Sequence, residues 1–388
     1  MRKLLLLACS IVGATLFAAP KVTGLSVTPI APLGLALDYN VSGAEKGGYL
    51  CVSMTVDGTT YVAESLTGAT NCLDGAHRVY WNMAKDGITL EKADISVEVK
   101  YTAGVGARYC VIDLSGDSSA ESYPVTYFFA EATEPSEGFN TNEYKTAKLV
   151  LKRVDAGSFI MGDDQTTPDA ANHKVTLTKP FYMGLFEVTQ KQWELVMGKN
   201  PSYFQGDTNP VECVSYDMIR GSSEGARWPN SNSVDSGSFL GKLRAKTGID
   251  FDLPTEAQWE YTCRAGTNTA YSCGDSANGD YMWYGVDYNS GGTTHEVGTK
   301  KMNPWGFYDM HGNAWERCLD WHDESLSYGE DPKGPSSGSV RVNRGGSWSN
   351  DANRGTKRVF DPPSCKTING GFRLCLPPRM EREAEKDE

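Results

Sequence analysis

The amino-acid sequence predicts two folded domains in tandem: an N-terminal all-β, sandwich-like domain over residues 21–130 and a C-terminal irregular α+β domain over residues 148–378. Two contrasts carry that division. The first half is built of short alternating apolar and polar runs, whereas the second mixes capped helices with long glycine-rich loops. Between them, residues 131–142 carry Glu, Thr, Pro, Ser, Gly and Asn with almost no apolar periodicity, so 131–147 reads as a linker. With 388 residues each half can bury a core of its own, and an 11% aromatic content argues against disorder.

Taken in order, the chain begins with Arg2 and Lys3, an apolar run over 4–17, and then Ala18, Ala19 and Pro20. The run is short for a membrane span, so residues 1–18 read as a cleaved signal peptide and the protein is expected to be exported: periplasmic, cell-surface or extracellular. A lipobox-like Leu6-Leu7-Ala8-Cys9 leaves almost no apolar segment ahead of the cysteine, which disfavours a lipoprotein. Nothing later approaches a transmembrane segment. The net charge of -12, with no long basic cluster, excludes a phosphate-tracking nucleic-acid surface.

In the β-rich half, Tyr49–Val56 is rich in strand formers, Asp57-Gly58 is a hairpin turn, and 59–63 returns. Ile95, Val97, Val99 and Tyr101 alternate with Ser96, Glu98 and Lys100, the pattern of a half-buried strand; 109–114 and 123–129 follow. Trp81 lies too far beyond Cys51 for an immunoglobulin signature, and a spacer role is favoured over an adhesive one. In the second half, Thr189 with Gln192 and Thr255 with Gln258 are capping boxes that open helices ending at Gly198 and Gly266. Phe239, Leu240 and Leu243 mark a third helix closed by Gly248. Residues 379–388 form a charged tail. Ten cysteines, one of them Cys9, imply disulfides in an oxidising compartment, although no pair has CxxC spacing.

The C-terminal half also carries a series of motifs in fixed order: Phe159-Ile160-Met161-Gly162; Glu187-Val188-Thr189; Leu253-Pro254-Thr255-Glu256-Ala257-Gln258-Trp259-Glu260; Cys263-Arg264-Ala265-Gly266-Thr267; Gly312-Asn313-Ala314-Trp315-Glu316; Arg344-Gly345-Gly346-Ser347-Trp348; and Gly371-Phe372-Arg373. Over about residues 148–376 these resemble the formylglycine-generating enzymes, or sulfatase-modifying factors. The resemblance implies an irregular α+β fold of the C-type-lectin-like kind. It also implies copper(I) held by two cysteines just after the RGGS[WFY] motif, because soft thiolates suit copper(I). Those positions fall here on Asn350 and Gly355, so copper and the family's catalytic chemistry are not expected.

Trp315, Ser347, Trp348 and Arg344 match pocket positions, and the loop around GNxWE implies calcium on Asp309, the carbonyls of Gly312 and Ala314, and Glu316. His311 within that loop reads as a packed or hydrogen-bonded residue. Cys263 with Cys318, and Cys375 with Cys365 or Cys213, are candidate disulfides; the sequence does not choose. Glu256 and Glu260 lie four apart on a helix and read as a solvated or capping face. Arg344 and Arg373 read as buried partners of carbonyls or carboxylates. The related sulfoxide synthases need a helical histidine triad, which five scattered histidines cannot supply.

The reading favoured is a non-catalytic scaffold binding a saccharide or extended peptide, with Trp283, Tyr284, Trp305 and Trp348 as groove candidates. The alternative is a formylglycine-type oxidoreductase with a non-standard metal site acting on protein cysteine, for which Cys365 with Cys375 or Cys273 is the visible sulfur supply. A third possibility is a purely structural envelope or surface protein.

Overall fold

A computed structural model describes residues 21–30, 34–42, 49–56, 59–62, 66–68, 75–82, 95–102, 107–128, 134–162, 173–325 and 328–376. The expected signal peptide, the Asp57-Gly58 turn and the charged tail lie outside them. The described chain forms two compact units, one holding residues up to 108 together with 125–134, the other 109–124 and everything from 135 onward.

The first unit is built from β1 (Lys21–Ile30), β2 (Gly34–Ser42), β3 (Tyr49–Val56), β4 (Thr59–Val62), β5 (Leu66–Gly68), β6 (Gly75–Asn82) and β7 (Ile95–Thr102). These make two antiparallel sheets, ordered β1-β2-β6-β5 and β4-β3-β7. The hairpin legible in the sequence is present, with Val56 opposite Thr59 and Ser53 opposite Val62. Leu35, Leu37 and Tyr39 are buried along β2, the face its alternation assigns to the core.

The second unit contains β8 (Tyr109–Asp113) and, after β9 (Val125–Phe128), a short helix α1 (Asn142–Lys145), β10 (Lys148–Val154), β11 (Gly157–Met161), β12 (His173–Leu177), β13 (Phe181–Gly184), α2 (Gln190–Met197), α3 (Tyr216–Arg220), α4 (Phe239–Thr247) and α5 (Glu256–Arg264). It ends with β14 (Trp315–Trp321), β15 (Gly329–Glu330), β16 (Arg341–Arg344), β17 (Arg358–Asp361), β18 (Gly370–Gly371) and β19 (Cys375–Leu376). One sheet runs β19-β13-β10-β8, and a second runs β17-β16-β14-β18.

The sequence reading put residues 109–114 in the N-terminal domain. Here β8 pairs antiparallel with β10, Leu151 opposite Cys110, and so is a strand of the second unit. Strand composition names a strand but not its partner, which lies about forty residues away. Nor is 135–147 a bare linker. It contains α1, and Phe139 and Tyr144 are buried against each other with ring centroids 5.0 Å apart.

The three helices read from capping chemistry form where expected. Thr189 and Thr255 each accept from the N3 backbone amide while Gln192 and Gln258 reach back, closing both capping boxes. Gly198 and Gly248 take the left-handed conformation at the ends of α2 and α4. In α5 that role falls to Ala265, one residue before the expected Gly266. Thr255→Ala should lower the stability of this unit by about 1 kcal/mol, read as a shift of its urea midpoint at unchanged slope. No described helix is long and apolar enough to cross a membrane.

Candidate functional site

Two loops frame the candidate site, one preceding β14 and the other following β16. Both are shaped by residues held in the left-handed region. Gly312 has φ 87°, and a side chain there would collide with the Trp283 carbonyl 2.0 Å away, which accounts for glycine in the Gly312-Asn313-Ala314 turn. Gly345 and Gly346 follow with φ 98° and 84° and turn the chain sharply after Arg344.

Beneath these loops lies a layer of buried ion pairs. Arg373 donates to both oxygens of Glu316 at 2.6 and 2.5 Å and to the carbonyls of Gly184 and Tyr308 at 3.0 Å. Trp259 Nε1 adds a third donor to Glu316 at 2.7 Å. Arg344 bonds Glu260, pairs with Glu256 at 3.1 Å and caps the Gly355 carbonyl at 2.8 Å. Glu260 also accepts from Arg264 and from the Gly162 amide, both at 2.8 Å, and Arg358 clamps Glu256 with two bonds. The expectation of a solvated Glu256–Glu260 face is therefore corrected: both carboxylates are buried beneath arginines from β16 and β17. The expectation that Arg344 and Arg373 are buried partners of carbonyls and carboxylates matches this geometry. Arg344 is fully buried, its guanidinium engaged by two carboxylates and two carbonyls.

Glu187, at the end of the β13 segment, holds the turn from the other side. It accepts from Asn313 Nδ2 and from the Ala314 amide, both at 2.9 Å. Burial, together with the neighbouring carboxylates of Asp309 and Glu316, pushes its carboxyl well above the usual range. Burial likewise raises Asp309, to about 6. Its Oδ2 accepts from the Gly298 amide at 2.6 Å, while the buried Oδ1 has no hydrogen-bond donor.

The positions implied for calcium differ in how far their oxygens are already engaged: both oxygens of Glu316 accept from Arg373 and Trp259, whereas Asp309 Oδ1 has no donor. Among the described residues no three acidic, histidine or cysteine side chains converge as a metal cage. His311 is packed. Its Nε2 accepts from the Ser272 amide at 3.1 Å, leaving Nδ1 to donate to the Asn353 carbonyl at 3.2 Å, and burial lowers it to about 4.

The copper positions carry no sulfur. A Cβ built on Gly355 would lie 3.3 Å from Cys263 Sγ, but that thiol is buried, contacts the Met310 carbonyl and His311, and is pushed up to about 12 by burial. The residues around Asn350 and Gly355 do not supply a thiolate pair for copper(I). The cysteine pairings expected from the sequence are also corrected: the seven cysteines whose side chains are described are free thiols. Cys263 faces the 310–311 backbone, Cys318 the Glu316 carbonyl and Cys375 the Gln258 side chain, so the partners proposed for them point elsewhere.

At position 350 the carboxamide takes over. Trp315 Nε1 donates to Asn350 Oδ1 at 2.7 Å, and Ser347 Oγ donates to the same atom at 2.6 Å. Ser347, Ser349 and Asn369 extend this into a polar cluster, with Asn369 Nδ2 2.9 Å from Ser349 Oγ. Beside it Trp348 is buried edge-on to Phe204, centroids 5.3 Å apart, and Tyr203 stands next to Phe204, 69% exposed. The four aromatics proposed for a groove each have local partners. Trp283 stacks on His295 at 3.8 Å and lies under Lys300 Nζ at 3.7 Å, and Trp305 packs against Tyr261 on α5. Tyr284 and Trp348 flank the 348–352 loop, since the Gly285 amide bonds the Asn350 carbonyl. Sequence reasoning missed Tyr203, Phe204, Ser349 and Asn369, which sit outside the recognisable motifs.

With this geometry in view, comparison with known proteins is decisive at family level. The model of the sulfatase-modifying factor enzyme 1-like domain matches residues 135–377. This chain belongs to that family. Among its sulfatase-modifying-factor relatives is the chaperone protein LppX of Paenibacillus barcinonensis, 30% identical over 248 residues, covering 55% of this chain and 84% of the relative. The formylglycine-generating enzyme of Mus musculus is 26% identical over 295 residues, covering 63% of this chain and 78% of the enzyme. Of solved structures, Treponema denticola variable protein 1 aligns at a TM-score of 0.49 with 30% identity, over 60% of this chain and 96% of that one.

Proposed function

We propose that the sulfatase-modifying-factor domain of this protein is a non-catalytic binding scaffold for a saccharide or peptide. On this reading it is exported by a cleaved N-terminal signal, with the N-terminal β unit serving as a spacer. The observation that carries the reading is at position 350, where an asparagine locked by Trp315 and Ser347 stands in place of a copper-binding cysteine. Position 355 offers only a backbone carbonyl, which Arg344 consumes. Oxidation of a substrate thiol by oxygen needs a soft metal held close to that thiol, and an amide oxygen with a glycine is a poor set of donors for it. The name of the Paenibacillus relative, a chaperone, supports a binding role for a domain of this kind.

The test is to load the purified protein with copper(I), dialyse it, count copper per chain, and assay a sulfatase-derived cysteine peptide for aldehyde. The expected result is no copper retained above a bovine serum albumin control and no aldehyde. Near-stoichiometric copper with aldehyde formation would return the domain to the oxidoreductase reading.

A further inference from the structure

The described thiols divide by exposure. Cys110, Cys263, Cys318 and Cys375 are buried, whereas Cys213, Cys273 and Cys365 are partly exposed. A thiol buried in apolar surroundings is inert, so any sulfur chemistry falls to the second group. Cys273 lies in the Tyr271–Gly274 turn, but Cys213 and Cys365 lie on segments bonded to each other. The Cys213 amide donates to the Thr367 carbonyl at 2.9 Å. Arg317 Nε donates to the Val214 carbonyl at 3.0 Å and its Nη2 to the Cys365 carbonyl at 2.7 Å. Those two nitrogens share one edge of a planar guanidinium, so the Val214 and Cys365 carbonyls stand side by side.

Three features of this junction are unusual. Cys213 has φ 58°, a region that a non-glycine residue enters only where its surroundings hold it. Glu212 is buried; its Oε1 accepts from the Phe204 amide at 2.8 Å, while Oε2 has no hydrogen-bond partner. Arg317 is buried too, and its Nη1 has no hydrogen-bond partner and lies 3.8 Å from Asp361 Oδ2. Each of these side chains stands beside one of the two thiols. Burial and the adjacent Glu212 carboxylate push the Cys213 thiol up to about 11, and Lys366 acts on it from the opposite segment. The Arg317 guanidinium in turn feels the Cys365 sulfur.

We propose that Cys213 and Cys365 are a thiol–disulfide exchange site, oxidised by the disulfide of a small thiol to one internal disulfide that ties the 211–214 segment to the 365–367 loop. Cys365, as its thiolate, attacks one sulfur of the incoming R–S–S–R and expels the first RS⁻, with the free N–H of Arg317 beside the reacting sulfur. Cys213 then gives its proton to Glu212 Oε2 and attacks Cys365 Sγ, expelling the second RS⁻. The two cysteines lose two electrons and two protons, and R–S–S–R becomes two R–SH. Both are thiols in this structure, and closing the bond moves the 365–367 segment toward Cys213 about the hydrogen bond that already joins them. The site uses neither Asn350 nor Gly355, so its failure leaves the copper and aldehyde test untouched.

The experiment is to treat the reduced, folded full chain with oxidised glutathione, quench with acid, alkylate the remaining thiols and map the peptides by mass. The expected product carries one new bond, between Cys213 and Cys365, with Cys263, Cys318 and Cys375 alkylated only after unfolding. In Cys213→Ser a glutathione adduct should accumulate on Cys365. In Glu212→Gln, which keeps the bond from Phe204, that adduct should resolve at least about 10-fold more slowly than in wild type. Three results would each overturn the proposal: a glutathione adduct that persists on wild-type Cys365, a bond from Cys213 or Cys365 to any other cysteine, or no reaction at either thiol. Resolution at an unchanged rate in Glu212→Gln would overturn the role given to the carboxylate.

Discussion

Arg373→Met is expected to destabilise the C-terminal unit by about 4 kcal/mol or more, enough to prevent its folding or to bring its urea midpoint down sharply. The arginine is fully buried and offers four hydrogen bonds, two to Glu316 and one each to the carbonyls of Gly184 and Tyr308. Methionine fills much of the volume but leaves Glu316 without its counter-charge next to Glu187 and Asp309, themselves buried acids. Breaking a buried pair from one side costs far more than replacing both partners. The double variant Arg373→Met, Glu316→Gln should therefore recover part of the loss. A single variant that loses less than about 1 kcal/mol would show that the pair is solvated and that the layer beneath the loops is not held by charge.

Asp309→Asn is expected to act in the opposite direction and to depend on pH. A folded-state value of about 6, above the ordinary carboxyl value, means the native state binds this proton more tightly than the unfolded chain does. The contribution of this group to stability is then full below about pH 4 and is lost as pH rises through 6, a difference on the order of 2–3 kcal/mol. Asp320, raised to about 7 by burial and by Glu256, contributes with the same sign, so the wild-type profile falls over the same range. The informative quantity is the difference between the two proteins. Urea midpoints at pH 5 and pH 8 should show the asparagine variant relatively more stable at pH 8, because its neutral amide has no charge to bury there. Equal slopes against pH would sink the assignment. A rise in midpoint on adding calcium, seen in wild type and absent from Asp309→Asn, would instead give this loop to the cation that the family resemblance implied.

How much of this was legible beforehand depended on how local each signal was. The boxes at Thr189 and Thr255 close within four residues, so the sequence determines them almost alone. The short helix α3 has only Ser215 as a cap and five residues of its own, too few to show a period. The Arg344–Glu260 and Arg373–Glu316 pairs join residues 84 and 57 apart, and a glutamate just past the first turn of a capped helix gives no sign of whether it faces water or a β-strand. Cysteine pairing was inferred from compartment, a chemical average that says nothing about which way Cys263 or Cys375 points. At the site, Asn350 and Gly355 were found by counting from a motif, whereas Tyr203, Phe204 and Asn369 reach it from segments with no pattern to count from.

The pairing of residues 370–376 bears on how the unit is made. Gly370 and Gly371 lie against β14, the Phe372 and Leu374 carbonyls accept from Val188 and Gly184, and Cys375 exchanges two bonds with Asp252. Three separate regions, at residues 184–188, 252 and 315–316, thus share one short ribbon, and it is the last part of the domain to be synthesised. During vectorial synthesis β13, α2 and the loop before α5 must wait, with an edge open and a buried carboxylate lacking its arginine, until that ribbon emerges. Folding of this unit is accordingly gated by its final segment, and truncation before residue 376 should behave as an all-or-none loss rather than a graded one.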